Sequence, residues 1–502
     1  SVAVMKKKKI KNPLIRRIPR ELLGDWKKYL VVALFLILTI GFVSGMYVAN
    51  ESMLVAANEG VTKYKLEDGH FELDKKADET LLSAIETGTK ADVKKYYLDK
   101  AKKELDEKLD EKAYPEAYDE AWDKIVEEID DKYADAEGKY ELNNPDFTEV
   151  PVKVYENFFR NEEEDYNNDG EAEGNIRVYA KNDNVDLACL LDGAFPEKAD
   201  EIAIDRMHAD NVGVKVGDEI SVSGQRFKVV GLIAYVNYAT LHEKATDMMF
   251  DAIKFDVAMV TQEGFNSLHK TVHYSYTWNY VDTPADEVEQ KAKSDDFMKA
   301  LLTQVVCADI ELEDYMPRYA NPAINFATDD MGSDKAMGGV LLDILIVIIA
   351  FIFAVTISNT IVKEASTIGT LRASGYTRGE LVRHYISMPV IVTVVASVLG
   401  NVLGYTSFKE LCAGMYYGSY SLPTYETRWN ADAFILTTVV PVVIMLGINL
   451  ILISGKLRLS PLKFLRHDLS ASKRKKAVRL PDFKFFNRFR LRIILQNKSS
   501  YL

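Results

Sequence analysis

Four apolar stretches, at 29–49, 337–361, 385–405 and 433–454, constrain this chain more than any other feature. Each is about 20 residues long, enough to cross the hydrocarbon core of a bilayer as a helix. A water-soluble globule would have to bury all four in one core. The chain is therefore read as a polytopic α-helical membrane protein with four transmembrane helices. Residues 50–336, between the first two stretches, are polar and mixed, and are long enough for a large separate α+β domain.

Charge gives the orientation. Lys6–Lys9, Lys11, Arg16, Arg17 and Arg20 precede the first stretch, and Lys456, Arg458, Lys463, Arg466 and Lys473–Lys476 follow the fourth. Residues 362–384 also carry a basic excess. Lys and Arg in short flanking segments mark the cytoplasmic face. Residues 1–28 then read as a cytoplasmic basic tail with an amphipathic helix, 362–384 as an inner loop, and 455–502 as an inner basic linker. Residues 50–336 and the loop 406–432 fall outside the cell. The outer segment 50–336 carries a net charge of −33 and the remainder +20, which together give the −13 of the whole chain. Such an acidic outer domain repels anionic polymers, and nucleic acid is not an expected partner. The first stretch is too long for a cleavable signal peptide and lacks a small-residue cleavage site, so it reads as an anchor.

The outer segment has two textures. At 91–140, Tyr96, Tyr97, Leu105, Leu109, Tyr118, Trp122, Ile125 and Ile129 recur at three- and four-residue steps among Lys, Glu and Asp. This predicts a helical, coiled-coil-like insert, broken near Pro115, that packs its stripe on itself or meets a surface partner. At 175–260 short β-type runs alternate with turn signals and predict a β-rich core. Cys189, Cys307 and Cys412 are too few and too widely spaced for a disulfide framework and read as free thiols.

Between the second and third stretches lies Lys363-Glu-Ala-Ser-Thr-Ile-Gly-Thr-Leu-Arg-Ala-Ser-Gly-Tyr376. Ile368 and Leu371 form an i,i+3 apolar pair with the small residues Gly369, Ala373 and Gly375 around it, which suits a short helix that docks a second protein closely. The segment resembles the cytoplasmic coupling segment of the FtsX-like (MacB-type) permease family, with Thr367, Ser374 and Tyr376 as departures from the usual pattern. A second phrase, Asn211-Val-Gly-Val-Lys-Val-Gly-Asp218 followed by Glu219–Val222 and Phe227–Gly231, resembles that family's outer module. The resemblance implies the permease subunit of an ABC transporter, driven by a separate ABC ATPase subunit that binds ATP and Mg²⁺. It implies ATPase coupling through Glu364, Ile368, Gly369, Leu371, Arg372, Ala373, Gly375 and Tyr376, and movement of the outer domain (mechanotransmission) to export or extract a peptide, lipoprotein or lipid-like substrate. An FtsX-type regulator without transport, or a membrane-anchored surface receptor with an extracellular protein partner, are the rival readings. Arg20-x-x-Leu23 before Tyr29-Leu30 recurs as Arg492-x-x-Leu495 before Tyr501-Leu502, an echo that suggests a second permease half after Leu502.

Catalytic constellations are missing. No Gly-x-x-x-x-Gly-Lys-Ser/Thr loop, Gly-x-Ser-x-Gly elbow or Cys-x-x-Cys pair occurs. The chain is expected to be no enzyme and to bind no cofactor itself. Asp165, Asn167 and Asp169 with Gly170 resemble the first half of a Ca²⁺ loop, but position twelve is Ile176, and a solvated acidic stretch including Glu162–Glu164 is the plainer account. His269 and His273 would share a helical face for zinc, without further ligands nearby. Asp343, inside the second stretch, is a candidate functional carboxylate. Asn359 and Asn449 read as interhelical hydrogen-bonding groups, Gly400 and Gly404 as a close helix contact, and Pro441 as a kink.

Overall fold

The computed structural model describes residues 13–24, 26–134, 148–458, 460–465 and Phe486. These divide into two compact units. One takes residues from Ser1–Ile40, Leu341–Asn401 and Phe434–Leu502; the other comprises Gly41–Val340 and Val402–Ala433. The basic cluster at 473–476 and the echo at 492–502 lie outside the described residues.

Among the described residues, four helices are long and apolar enough to cross a membrane: Trp26–Lys63, Pro322–Lys363, Arg378–Ser419 and Ala431–Lys456. All four apolar stretches are helical, but three of the helices outrun them. The first continues from 49 to Lys63, the second begins at Pro322 rather than 337, and the third runs on to Ser419. Fourteen further residues of helix add about 20 Å, so these helices carry residues of both units. Much of their apolar surface is uncovered, including Val31, Leu38, Ile344, Phe351, Val355, Val398 and Ile451. Water would penalise that surface and lipid does not; the protein is a membrane protein.

Small residues set the contact between the first and third of these helices. A Cβ on Gly400 would lie 2.8 Å from Ile40, and one on Gly404 would lie 2.7 Å from Ser44. The Gly400/Gly404 contact expected from the sequence is present. The polar contact is not where Asn359 and Asn449 placed it. Asn359 is exposed, and Asn449 donates back to the Met445 carbonyl of its own helix at 2.9 Å. Asn401 bridges the helices instead, donating to Thr438 at 3.0 Å and accepting from Thr437 at 2.9 Å. Pro441 lacks an N–H, and the wider π-turn Ile435–Val439 just ahead of it absorbs the lost bond.

The second unit is built on a sheet of eleven strands: β1 Gly69–Leu73, β2 Val152–Glu156, β3 Phe159–Asp165, β4 Gly174–Ala180, β5 Ala188–Gly193, β6 Glu201–Asp205, β7 Glu219–Val222, β8 Gln225–Tyr235, β9 Phe255–Val260, β10 Val272–Tyr280 and β11 Leu312–Pro317. Their order is β11-β1-β10-β3-β4-β9-β6-β8-β5, with β2 also on β10 and β7 on β3 and β8. The β4–β9 and β6–β8 pairs are parallel and the others antiparallel. Strands thus extend well beyond 175–260 on both sides. The reason is visible in β10, where Tyr274, Tyr276, Trp278 and Tyr280 alternate along one face. Tyr276 and Trp278 are fully buried. Phe71 of β1 stacks on Tyr276 at 5.4 Å, and Phe297 of the helix Glu287–Cys307 tilts onto Trp278 at 5.0 Å.

A second core fills the β4–β9–β6–β8 region with Ile176, Val178, Ile202, Ile204, Phe227 and Val260. The β7–β8 hairpin turns at Ser223 and Gly224, with φ of 46° and 84°, as a two-residue turn with two left-handed residues requires. β8 does not end at Gly231 but continues to Tyr235. Gly231 is where Ala194 of the chain beyond β5 approaches: a Cβ there would stand 2.2 Å from the Ala194 carbonyl oxygen.

The insert is a hairpin of two helices, Val93–Lys108 and Pro115–Ala134. Lys94 pairs with Asp130 and Tyr118 donates to Asp106, which ties each helix start to the other's end and makes the pair antiparallel. Pro115 opens the second helix, where its missing N–H costs nothing. Cys189, Cys307 and Cys412 are free thiols.

Gly231→Ala should lower the thermal midpoint of the detergent-purified chain, at a cost of about 1–3 kcal/mol, because the displaced atom is backbone. Gly224→Ala, with nothing within 4 Å of its Cβ, should cost only its left-handed φ, about 1 kcal/mol. Equal midpoints for Gly231→Ala and wild type would contradict the close approach.

Candidate functional site

The segment after the second long helix forms one short helix, Ala365–Ala373, between Glu364 and Gly375. It ends in a two-bond cap. Gly375 has φ of 99°, its N–H reaches the Arg372 carbonyl at 3.2 Å, and the Tyr376 N–H reaches the Leu371 carbonyl at 3.1 Å. This is the arrangement in which a left-handed glycine satisfies the last carbonyls of a helix. Thr377 and Glu380 then start the next helix reciprocally, Thr377 N–H to Glu380 Oε2 at 2.8 Å and Glu380 N–H to Thr377 Oγ1 at 3.3 Å.

One face of the short helix is buried. Ile368 is wholly inaccessible, in a cluster with Ile357, Ile361, Leu381, Tyr385, Ile453 and Phe464, with Leu371 packed at its edge. Gly369 lies under Leu465 of the helix Pro461–Leu465: a Cβ would stand 2.8 Å from Leu465 Cγ. Only a residue without a side chain permits that approach.

Glu364 anchors the entry. Arg17 Nη2 lies 2.8 Å from Glu364 Oε1, and Tyr385 Oη donates to Glu364 Oε2 at 2.6 Å. Arg17 also pairs with Glu21, and His384 Nε2 lies 3.1 Å from Glu21 Oε2. The amphipathic helix Pro13–Gly24 is thereby tied to the start of the short helix. Arg378 holds the exit by donating to the Ser454 carbonyl at 2.7 Å.

The eight expected coupling residues therefore separate by position. Glu364 is held in the ion-pair network, Ile368 and Gly369 are buried, Leu371 is half-buried, and Gly375 closes the helix. Ile368 and Gly369 are not presented to a partner in this arrangement, because the chain's own helices cover them. Arg372 and Tyr376 are half-exposed and Ala373 is exposed. Thr367, Thr370 and Ser374, which the sequence did not single out, complete the open face. Their steps of three and four residues set them on one side of the helix. That spacing was readable, but the apolar pair drew attention to the face that the chain's own helices cover.

The other candidates fare differently. Asp343 is exposed on the helix surface beside exposed Leu341 and Ile344, not aimed among the helices. Asp165, Asn167 and Asp169 lie in the β3–β4 turn. Carboxylates of Asp165, Asp169 and Glu173 come within 4.8 Å of one another. Their oxygens serve the turn's own amides: Asp165 accepts from Gly170 at 3.0 Å and Glu173 from Tyr166 at 3.1 Å. Glu162 and Glu164 are not part of a solvated stretch. They alternate on β3 and are fully buried. His269 and His273 share no helical face, since His273 lies on β10, paired with Glu72 and stacked on Phe159 at 4.7 Å, while His269 is exposed in the preceding loop.

Residues 339–461 match the family described as FtsX-like permease C-terminal. That span covers the last three apolar helices and the short helix with its caps, so this part of the chain is similar to an FtsX-like permease C-terminal domain. No curated protein matches the chain.

Gly375→Ala meets no neighbour within 4 Å, so it should cost only its left-handed backbone, about 1 kcal/mol. Gly379→Ala, also uncrowded and at the start of the next helix, should be neutral or stabilising by up to about 1 kcal/mol. Thermal unfolding in detergent separates the two, and the reverse order would contradict the cap.

Proposed function

We propose that this chain is the membrane subunit of an ABC-transporter-type permease, and that a separate ABC ATPase docks on the exposed face of Ala365–Ala373. The observation that carries this reading is the division of that helix into two faces. One side is locked into the chain's own core by Ile368 and Gly369. The other, Thr367, Thr370, Ala373 and Ser374, is small, polar and open. Small residues let a partner's backbone approach, and a fixed helix loses little entropy on binding.

ATP and Mg²⁺ belong to the partner in this reading. Its closure on ATP would push on Thr370 and its neighbours, and Glu364 with Arg17 and Tyr385 would pass that load into the helices Pro322–Lys363 and Arg378–Ser419. Those helices continue into residues of the second unit, the latter through a π-turn at Gly404–Phe408. A rigid helix is a fit element for moving load. With the basic flanks inside, that unit stands outside the cell. Among the described residues, the buried polar groups within the apolar stretches 29–49, 337–361, 385–405 and 433–454 are hydroxyls and amides such as Thr393, Ser397, Thr437 and Asn449. That favours mechanical transmission to the outer domain over a charged aqueous channel. The substrate class proposed is a peptide, lipoprotein or lipid-like molecule, and an FtsX-type regulator would use the same coupling without transport.

The test is co-purification of candidate ATPases from membranes. Thr370→Arg with Ser374→Arg should abolish capture while leaving membrane insertion and the thermal midpoint near wild type. Arg372→Ala, at the half-exposed flank, should weaken capture by less than the double change. Undiminished capture by the double variant would remove this face as the docking site.

A further inference from the structure

Three side chains meet in the core of the second unit, far from one another in sequence. Glu164 is the last residue but one of β3, Asp256 the second of β9, and His208 lies on the short helix Arg206–Val212. β4 lies between β3 and β9, with Glu162 opposite Ile176 and Ile176 opposite Asp256. The period of two then turns Glu164 and Asp256 to the face that carries Ile176, where Ala209 beside His208 packs. All three residues are completely buried. One nitrogen and two carboxylate oxygens lie within 4.8 Å of one another.

The hydrogen bonds around them fix their chemistry. His208 Nδ1 lies 2.8 Å from the Ala252 carbonyl oxygen. A carbonyl can only accept, so Nδ1 carries the proton, and in the neutral ring Nε2 presents its lone pair. That lone pair faces Glu164 Oε2 at 3.2 Å. Lone pair against carboxylate is repulsive, so a cation belongs between them, either a proton or a metal ion. Yet Nε2 of His208, both oxygens of Glu164 and Oδ2 of Asp256 all lack a hydrogen-bond partner. The other Asp256 oxygen is taken, accepting from Val257 N–H at 2.7 Å and Asp205 N–H at 3.1 Å.

Charge favours the metal. With both carboxylates ionised, an imidazolium between Glu164 and Asp256 leaves one uncompensated negative charge in a dry core, whereas a divalent ion with a neutral imidazole leaves none. Tetrahedral ligands at about 2.0–2.1 Å from Zn²⁺ stand roughly 3.3 Å apart, close to the observed 3.2 Å. An Nδ1–H held by a backbone carbonyl is also the usual support of a metal-bound histidine.

We propose that Glu164, His208 and Asp256 form a buried structural site for a divalent transition ion of the Zn²⁺ class, joining β3, β9 and the helix Arg206–Val212. One imidazole with two carboxylates suits such an ion better than Ca²⁺ or Mg²⁺, which take oxygen. Because the site is inaccessible, the ion enters as the domain folds and leaves slowly.

Tag-free, full-length protein in detergent tests this by elemental analysis after growth with Zn²⁺. About one zinc per chain is expected. His208→Gln should lose it, while His269→Ala and Asp169→Asn should keep it. As a second measurement independent of variant folding, wild type unfolded with a chelator and refolded should melt lower by about 4 °C or more than protein refolded with Zn²⁺. Zinc at background in wild type, equal zinc in His208→Gln, or identical midpoints with and without Zn²⁺ would overturn the proposal. The cluster would then be a proton-bridged ion pair.

Discussion

The anchoring of the short helix Ala365–Ala373 by its own buried face is the constraint on which the membrane unit depends. Ile368 supplies the apolar plug, Gly369 the space for Leu465, and Glu364 the polar tie to Arg17 and Tyr385. Losing Ile368 would leave a cavity, a side chain at 369 would clash with Leu465, and losing Glu364 would take a partner from Arg17 and Tyr385. The helix is therefore no loop hung between two spans. It is a rigid bracket that joins three long helices and the amphipathic helix Pro13–Gly24.

Rigidity at that point gives a reason for the family's sequence pattern. The apolar and glycine positions build the bracket, and the positions between them face out. A partner pressing on Thr370 would act on a body already welded to the helices Pro322–Lys363 and Arg378–Ser419, so displacement would not be lost in local bending. The second unit has the same economy of parts: the alternating aromatics of β10 fill one core, branched aliphatics fill the other, and ionisable clusters sit where strands and a short helix converge.

Much of this was legible in the sequence because it follows from local rules. Twenty-residue apolar stretches, a break at Pro115 and a close Gly400/Gly404 contact each need only a few neighbouring residues to specify them. What escaped depends on distant partners. Ile368 and Leu371 read as a docking patch because nothing in the segment reveals that Phe464, Leu381 and Ile453 cover them. Glu162 and Glu164 read as solvated because acid residues usually are. Their alternation with Asn161 and Glu163 was the available sign of a strand, but Glu164 is buried beside His208 and Asp256, 44 and 92 residues further on, and Glu162 beside Ser223. Asn401 was passed over for Asn359 and Asn449, since helix rotation decides which amide meets a neighbour.

The most direct test of the bracket with an open face is site-specific cross-linking in membranes. Single cysteines at Thr370 and at Ile368 would be treated with a short bifunctional thiol reagent in the presence of the candidate ATPase. The account predicts an adduct to the ATPase from position 370 and none from position 368. An adduct from 368 with none from 370 would mean that the apolar face is the one presented, and would contradict the account.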